Sequence, residues 1–332
     1  MSLAGCSADA AAKKYLNPAL DALADALSEL IDGDVWDESE PAAGEAEQAE
    51  EDEILPGDAA EDSDEGPSEL GGELTDEQAM MATTGMIRYS YAQLSDSDRA
   101  LYRDIYTILI NHAEEVIINS LDADQVDMVF QLVMNDHPEI FYVTGYSMNK
   151  YTLNGVATSL EFTGTYTKTK DQADDAWPVI NTYEAKCFAG LPENADDYDK
   201  VRYVYEYLIE NTEYNLDAED NQNILSVFDT GESVCQGYAK ATQYLLNELG
   251  IPCLIITGIV KGGEPHAWNM ACVDGQWTYI DTTWGDASYR NVDTGAIWNE
   301  ITYDYLCVGE DELKGTHRAD NIVDMPEAVR IK

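Results

Sequence analysis

From Ser95 onward the apolar residues fall into two periodicities, and these set out most of the elements. Ser95-Asp-Ser-Asp98 reads as a capped helix start, followed by Leu101, Ile105, Ile108 and Leu109 on one face. Asp122 or Asp124 opens a second helix carrying Val126, Val129, Phe130 and Val133, and His137-Pro138 ends it. The next apolar run, Ile140 to Val143, reads as strand. Tyr151-Thr-Leu and Thr158 to Tyr166 alternate with period two around Asn154-Gly155, the signature of a hairpin turn. Helical spacing returns from Asp171 to about Gly190 and from Asp197 to Asn211. A further helix runs from Cys235 to Leu249 and stops at Gly250-Ile-Pro252. Leu254–Val260, Ala267–Val273 and Gln276–Thr282 then alternate as strands, the last two joined by Asp274-Gly275.

The N-terminal third is of another kind. Tyr15 to Gly33 has helical spacing, with Asn17 and Pro18 at its start. From Asp32 to Glu77 the chain is dense in Asp and Glu and has no Lys or Arg, so it cannot bury enough apolar surface to form a core. It reads as an extended tether without the fixed ligand spacing of a calcium loop, and order is expected to resume near Ala82. The whole chain of 332 residues carries 65 acidic against 18 basic residues. That balance argues against nucleic acid, which needs clustered Lys and Arg. No apolar run approaches the roughly 20 residues of a membrane-spanning helix. The six cysteines include no Cys-x-x-Cys pair, so neither a zinc site nor any other cofactor is expected.

Three separated pieces between Gly231 and Asp286 carry the chemistry: Gly-Glu-Ser-Val-Cys235-Gln-Gly-Tyr-Ala, Glu-Pro-His266-Ala-Trp-Asn and Tyr-Ile-Asp281-Thr-Thr-Trp-Gly-Asp286. A buried cysteine is most often an inert small hydrophobe. Cys235 differs because it opens a helix, where the helix terminus and a nearby imidazole both favour thiolate. His266 can take or share the proton, and Asp281 can hold the other imidazole nitrogen in the right tautomer. Antiparallel pairing about Asp274-Gly275 would set His266 and Asp281 side by side. The backbone N–H of Cys235 is the natural first oxyanion donor. Tyr214, Asn215, Asn223 and Gln236 are side-chain candidates for a second, and the sequence does not choose among them. Trp268, Trp284 and Asp286 flank the relay, the tryptophans as packing that shields it from water.

Those three pieces, with Leu-Gly-Ile-Pro252 after the helix as a fourth, resemble the transglutaminase-like superfamily, whose core is related to papain-type cysteine peptidases. The resemblance covers about Asp199 to Met325, and Asp136-His-Pro-Glu-Ile-Phe-Tyr142 resembles the region that precedes this core in some bacterial members. It implies an α+β fold: a Cys at a helix N-terminus packed on an antiparallel sheet, preceded by a small α+β segment. It also implies the nucleophile, base and orienter roles for Cys235, His266 and Asp281. His317, after a Tyr-Leu-x-x-Gly-Glu-Asp stretch, resembles a structural anchor near the end of such domains. Leu3-Ala-Gly-Cys6 resembles the end of a bacterial lipoprotein signal, which makes Cys6 a lipidation candidate and implies membrane anchoring by an N-terminal lipid.

The expected organisation is therefore an anchor and short helix over 1–31, an acidic linker over 32–81, a scaffold over 82–170 and a catalytic domain over 171–332. The expected activity is an extracytoplasmic cysteine enzyme acting on amides of protein or peptide substrates, with cell-wall-associated substrates among them. The alternative is a non-catalytic surface adaptor that kept the fold. Cys253 and Cys272 fall nearly opposite if their strands pair, but a one-residue slip separates their faces, and both are expected to stay reduced.

Overall fold

The computed structural model describes residues 88–286, 301–320 and 323–331. The helix expected at Tyr15–Gly33, the acidic tract, Cys6 and the resumption of order near Ala82 lie outside the described residues. The first described elements are helices α1 (Tyr89–Gln93) and α2 (Asp96–Asn111), the latter capped by Ser95, whose hydroxyl accepts the Asp98 N–H at 3.2 Å. Strand β1 (Val116–Ile118) leads to α3 (Ala123–Asp136), where the Asp122 carboxylate accepts the Asp124 N–H at 3.0 Å. Strands β2 (Val143–Leu153) and β3 (Val156–Tyr166) meet at Asn154 and Gly155, both with positive φ, as the tight hairpin requires. With β1 they make a three-stranded antiparallel sheet in the order β1-β3-β2.

One expectation fails here. Ile140 to Tyr142 forms turns rather than strand, and only Val143 joins the sheet. The Val143 N–H donates to the Ile140 carbonyl at 3.0 Å, closing the chain on itself just after Pro138. Ile140 and Phe141 are nonetheless buried. Their apolarity reports a core position, which a buried turn satisfies as well as a strand does.

Helices α4 (Lys170–Ala189) and α5 (Asp197–Asn211) follow, then the two-residue strand β4 (Glu213–Tyr214), a π-helical turn at Ser226–Thr230 and strand β5 (Glu232–Ser233). Helix α6 (Cys235–Glu248) precedes β6 (Cys253–Val260), β7 (Pro265–Val273), β8 (Gln276–Ile280), the short helix α7 (Thr282–Gly285), β9 (Leu306–Val308), the short helix α8 (Glu310–Leu313) and β10 (His317–Asp320). The five strands form one antiparallel sheet in the order β10-β6-β7-β8-β9.

Alternation along β7 divides the two faces of this sheet. Ala271 and Val273 join the large core that also takes in α2, α3, α5 and α6. Trp268 and Met270 point the other way, into a smaller cluster with Leu254, Ile256, Tyr279 and Leu313. Asn269 ties helix to sheet: its amide donates to the Ala239 carbonyl at 2.9 Å and the Leu254 carbonyl at 3.1 Å. The large core runs without interruption from Tyr91 to Cys307, so the preceding helices and the five-stranded sheet share one interior. No helix among the described residues is long and apolar enough to cross a membrane.

Candidate active site

The start of α6 is fixed by its approach. Strand β5 pairs in parallel with β4, and the buried Ser233 hydroxyl donates to the Asn221 carbonyl at 2.8 Å. Gly237, two residues into the helix, sits against this loop. A Cβ there would lie 1.9 Å from Ser233 Oγ and 3.1 Å from the Asn221 carbonyl, so only glycine fits. No side chain caps α6, which leaves its first-turn N–H groups around the half-buried Cys235 for a ligand.

His266 lies near the start of β7, opposite Gly258 of β6. Asp281 directly follows β8 and caps α7, its Oδ1 accepting the Trp284 N–H at 3.0 Å. Because β7 and β8 are antiparallel, His266 Nε2 meets Asp281 Oδ2 at 2.8 Å. Cys235 lies close enough to the same imidazole to help raise its pKa, so thiol, ring and carboxylate stand in sequence. Asp281 is fully buried and His266 is 5% exposed.

Two charges in so dry a place stabilise each other. Burial disfavours the His266 imidazolium, but the Asp281 charge and the hydrogen bonds to Asp281 and Cys235 outweigh it and raise the pKa to about 10. Burial likewise opposes the Asp281 carboxylate. The charge and hydrogen bond of His266, joined by the hydrogen bond from His317, outweigh burial and hold it well below the usual carboxylate range.

The flanking residues divide by contact. Trp268 lies nearly parallel to His266 with centroids 6.0 Å apart, and Trp284 lies 5.9 Å from it on a tilt. Asp286 is buried, and the Tyr238 hydroxyl lies 3.0 Å from its Oδ2 and 2.8 Å from the Thr212 carbonyl. Among the oxyanion candidates, the Asn215 amide donates to Glu232 at 2.9 Å and the Asn223 amide to the Asp220 carbonyl at 3.0 Å, both shaping the loop. Tyr214 sits on β4 beside Ser233, its ring 6.4 Å from Tyr238. Gln236, half-buried on the first turn of α6, makes no side-chain hydrogen bond among the described residues.

Sequence reasoning missed the place of His317. Its Nε2 lies 3.0 Å from Asp281 Oδ2, the same oxygen that holds His266. No local pattern announces this, because the contact depends on β10 pairing with β6 across more than fifty residues. His266, Asp281 and His317 offer ligand atoms within 4.8 Å of one another, the one such group among the described residues. Those atoms are already hydrogen-bonded to each other, which accounts for their closeness without a metal ion.

Like Cys235, the other described cysteines, 187, 253, 272 and 307, form no disulfide among the described residues. Cys253 pairs with Ala271 and Cys272 with Trp277, so the two thiols fall on different faces of the sheet. Burial pushes the Cys187 thiol up to about 12 and also raises Cys253 and Cys272.

With this geometry in view, the comparison with known proteins is specific. Residues 190–282 match a family model described as Transglutaminase-like superfamily. This segment is therefore similar to the transglutaminase-like superfamily. Kyphoscoliosis peptidase of Mus musculus is 29% identical over 111 residues, covering 29% of this chain and 17% of the relative. Its Homo sapiens counterpart is 29% identical over 131 residues, covering 35% and 19%. The matches thus span under a fifth of the length of these relatives. A crystal structure of a TGase superposes with a TM-score of 0.31 at 19% identity, covering 42% of this chain and 44% of the other. The matched segment lies in an α+β arrangement, with its cysteine at the N-terminus of a helix packed on an antiparallel sheet.

Proposed function

We propose that this transglutaminase-like protein is a cysteine enzyme that transfers or hydrolyses acyl groups of peptide or protein amides through a thioester. The observation that carries the reading is the His266–Asp281 hydrogen bond with Cys235 beside the same imidazole, at the start of a 14-residue helix. A raised imidazole pKa beside a thiol favours the thiolate–imidazolium pair. The Cys235 sulfur would attack the amide carbonyl carbon, and the oxyanion would be met by the Cys235 N–H, with Gln236 or Tyr214 as second donor. As the C–N bond breaks, the His266 imidazolium gives its proton to the leaving amine. Water or a second amine then attacks the thioester, loses a proton to His266, and the C–S bond breaks to restore the thiolate.

Protein or peptide amides are favoured as substrates because the matched relatives are named peptidases. The Leu3-Ala-Gly-Cys6 stretch and the acidic tract after it support an extracytoplasmic, membrane-anchored setting with Cys6 lipidated and cell-wall-associated peptides within reach. The test is mass spectrometry of a glutamine-containing peptide library incubated with the protein and a primary amine. Amine incorporation, deamidation or cleavage, each abolished by Cys235→Ala, is the expected result. A library left unchanged under all conditions would contradict an enzyme and favour a binding module with the same fold.

A further inference from the structure

Asp281 serves more than one histidine. Its Oδ2 is shared by His266 Nε2 at 2.8 Å and His317 Nε2 at 3.0 Å, and its Oδ1 accepts the Trp284 N–H at 3.0 Å. A carboxylate has only so much charge to offer, and each donor draws on it. That His317 carries a proton on Nε2 follows from its other nitrogen. Nδ1 lies 2.9 Å from Thr316 Oγ1, which in turn lies 3.1 Å from the Leu313 carbonyl. If the Thr316 O–H points at Nδ1, the ring is neutral and its proton is on Nε2. If that O–H points at Leu313, Nδ1–H donates to Thr316 and both ring nitrogens carry protons. In either arrangement His317 presents Nε2–H to Asp281.

The fold holds the ring tightly for that contact. Trp284 lies 4.6 Å from it, Trp268 meets it edge-on at 5.0 Å, and its side chain is 1% exposed. Gly258 lets the edge strand β10 come close, since a Cβ there would lie 2.1 Å from the Arg318 carbonyl. On the sheet side the titratable groups facing His317 are Asp281 and His266, with Tyr305 at 6.1 Å. His317 also lines a cavity of about 730 Å³, whose charged and titratable lining residues are Lys261, Tyr279, Glu310, Lys314, Arg318 and Glu327. Tyr279 donates to Glu310 and Lys314 pairs with Asp311, and none of the six hydrogen-bonds His317.

We infer that His317 is a positioning residue of the relay: by sharing Asp281 Oδ2 it sets how firmly the carboxylate holds the His266 imidazolium. This rests on the cysteine-relay reading above. With His317 removed, Asp281 keeps more of its charge for His266, so the imidazolium becomes a weaker acid toward the leaving amine.

Only four histidines occur in the chain, at 112, 137, 266 and 317, which suits NMR of the full-length protein with 15N-labelled histidine. His317→Phe is expected to move the His266 Nε2–H proton downfield and to raise the His266 titration midpoint by about one pH unit. His317→Gln, whose amide can still donate, should restore both toward wild type. Should the Phe variant fail to fold, His317→Asn, with an amide too short to reach Asp281, carries the same expectation. A role in packing alone would change the melting temperature and leave the His266 resonance where it was; that result overturns the inference. The relay is checked separately by alkylating Cys235 and asking whether the His266 midpoint moves. No movement there contradicts the nucleophile assignment, whereas an unmoved resonance in the His317 variants contradicts only the role of His317.

Discussion

At the residue scale, Asp281 does two jobs with its two oxygens, and a substitution can separate them. In Asp281→Asn, Oδ1 can still cap the Trp284 N–H, so the turn survives. The new amide N–H would face His266 Nε2, forcing that nitrogen to be an acceptor and placing the ring proton toward Cys235, the wrong tautomer for a base. Activity on any substrate found is expected to fall roughly 10²–10⁴-fold with the circular dichroism spectrum unchanged. Near-native turnover would mean that Asp281 does not orient the base, and Asp286, held by Tyr238, would not be a ready replacement. The raised His266 pKa also has a consequence for stability. The group goes from its ordinary 6.5 to about 10 on folding. Its contribution is therefore fully present below about pH 6.5 and lost as the pH rises through about 10. Asp281 acts in the opposite window, contributing above its ordinary 3.8 and losing that contribution as the pH falls further. Urea titrations at pH 6.5 and pH 10 should show a loss of stability in the wild type that is smaller in His266→Gln. Equal losses in both proteins would contradict the assignment.

At the element scale, the approach to α6 is what aims Cys235. Gly237→Ala puts a Cβ into the Ser233 hydroxyl and the Asn221 carbonyl, so the helix start must shift. We expect about 1–3 kcal/mol of destabilisation and markedly slower labelling of Cys235. Gly315→Ala, where no atom lies within 4 Å of the added carbon, should change neither. Wild-type labelling in the Gly237 variant would show that the helix start does not depend on this packing. Much of this element was legible in advance because its signals are local. The helix from Cys235, the stop at Gly250 and the Asp274-Gly275 turn each follow from a few adjacent residues. The pairing of His266 with Asp281 followed from that one turn. Interactions set by distant chain were not legible: β10 finding β6, and hence His317 reaching Asp281. Register sat between these cases. Cys253 faces Ala271 rather than Cys272, a one-residue offset that alternation alone does not determine. The Ile140–Tyr142 turn shows the same limit, since apolarity marks burial without fixing backbone shape.

At the scale of the whole molecule, the large core among the described residues runs from Tyr91 through both sheets to Cys307. The acidic stretch before it supplies much of the net charge of −47 and has no cation with which to pair internally. Deleting residues 1–80 is therefore expected to leave the melting temperature within a few degrees and Cys235 labelling unchanged. Unfolding or loss of the reactive thiol would show that this stretch contributes to the fold. The central claim, that Cys235 is activated by the relay, is tested most directly by its rate of alkylation with iodoacetamide at pH 7, resolved by peptide mass spectrometry. The relay predicts a rate well above that of free cysteine, falling about 10-fold or more in His266→Ala. A rate equal to that of free cysteine and indifferent to His266 would contradict it.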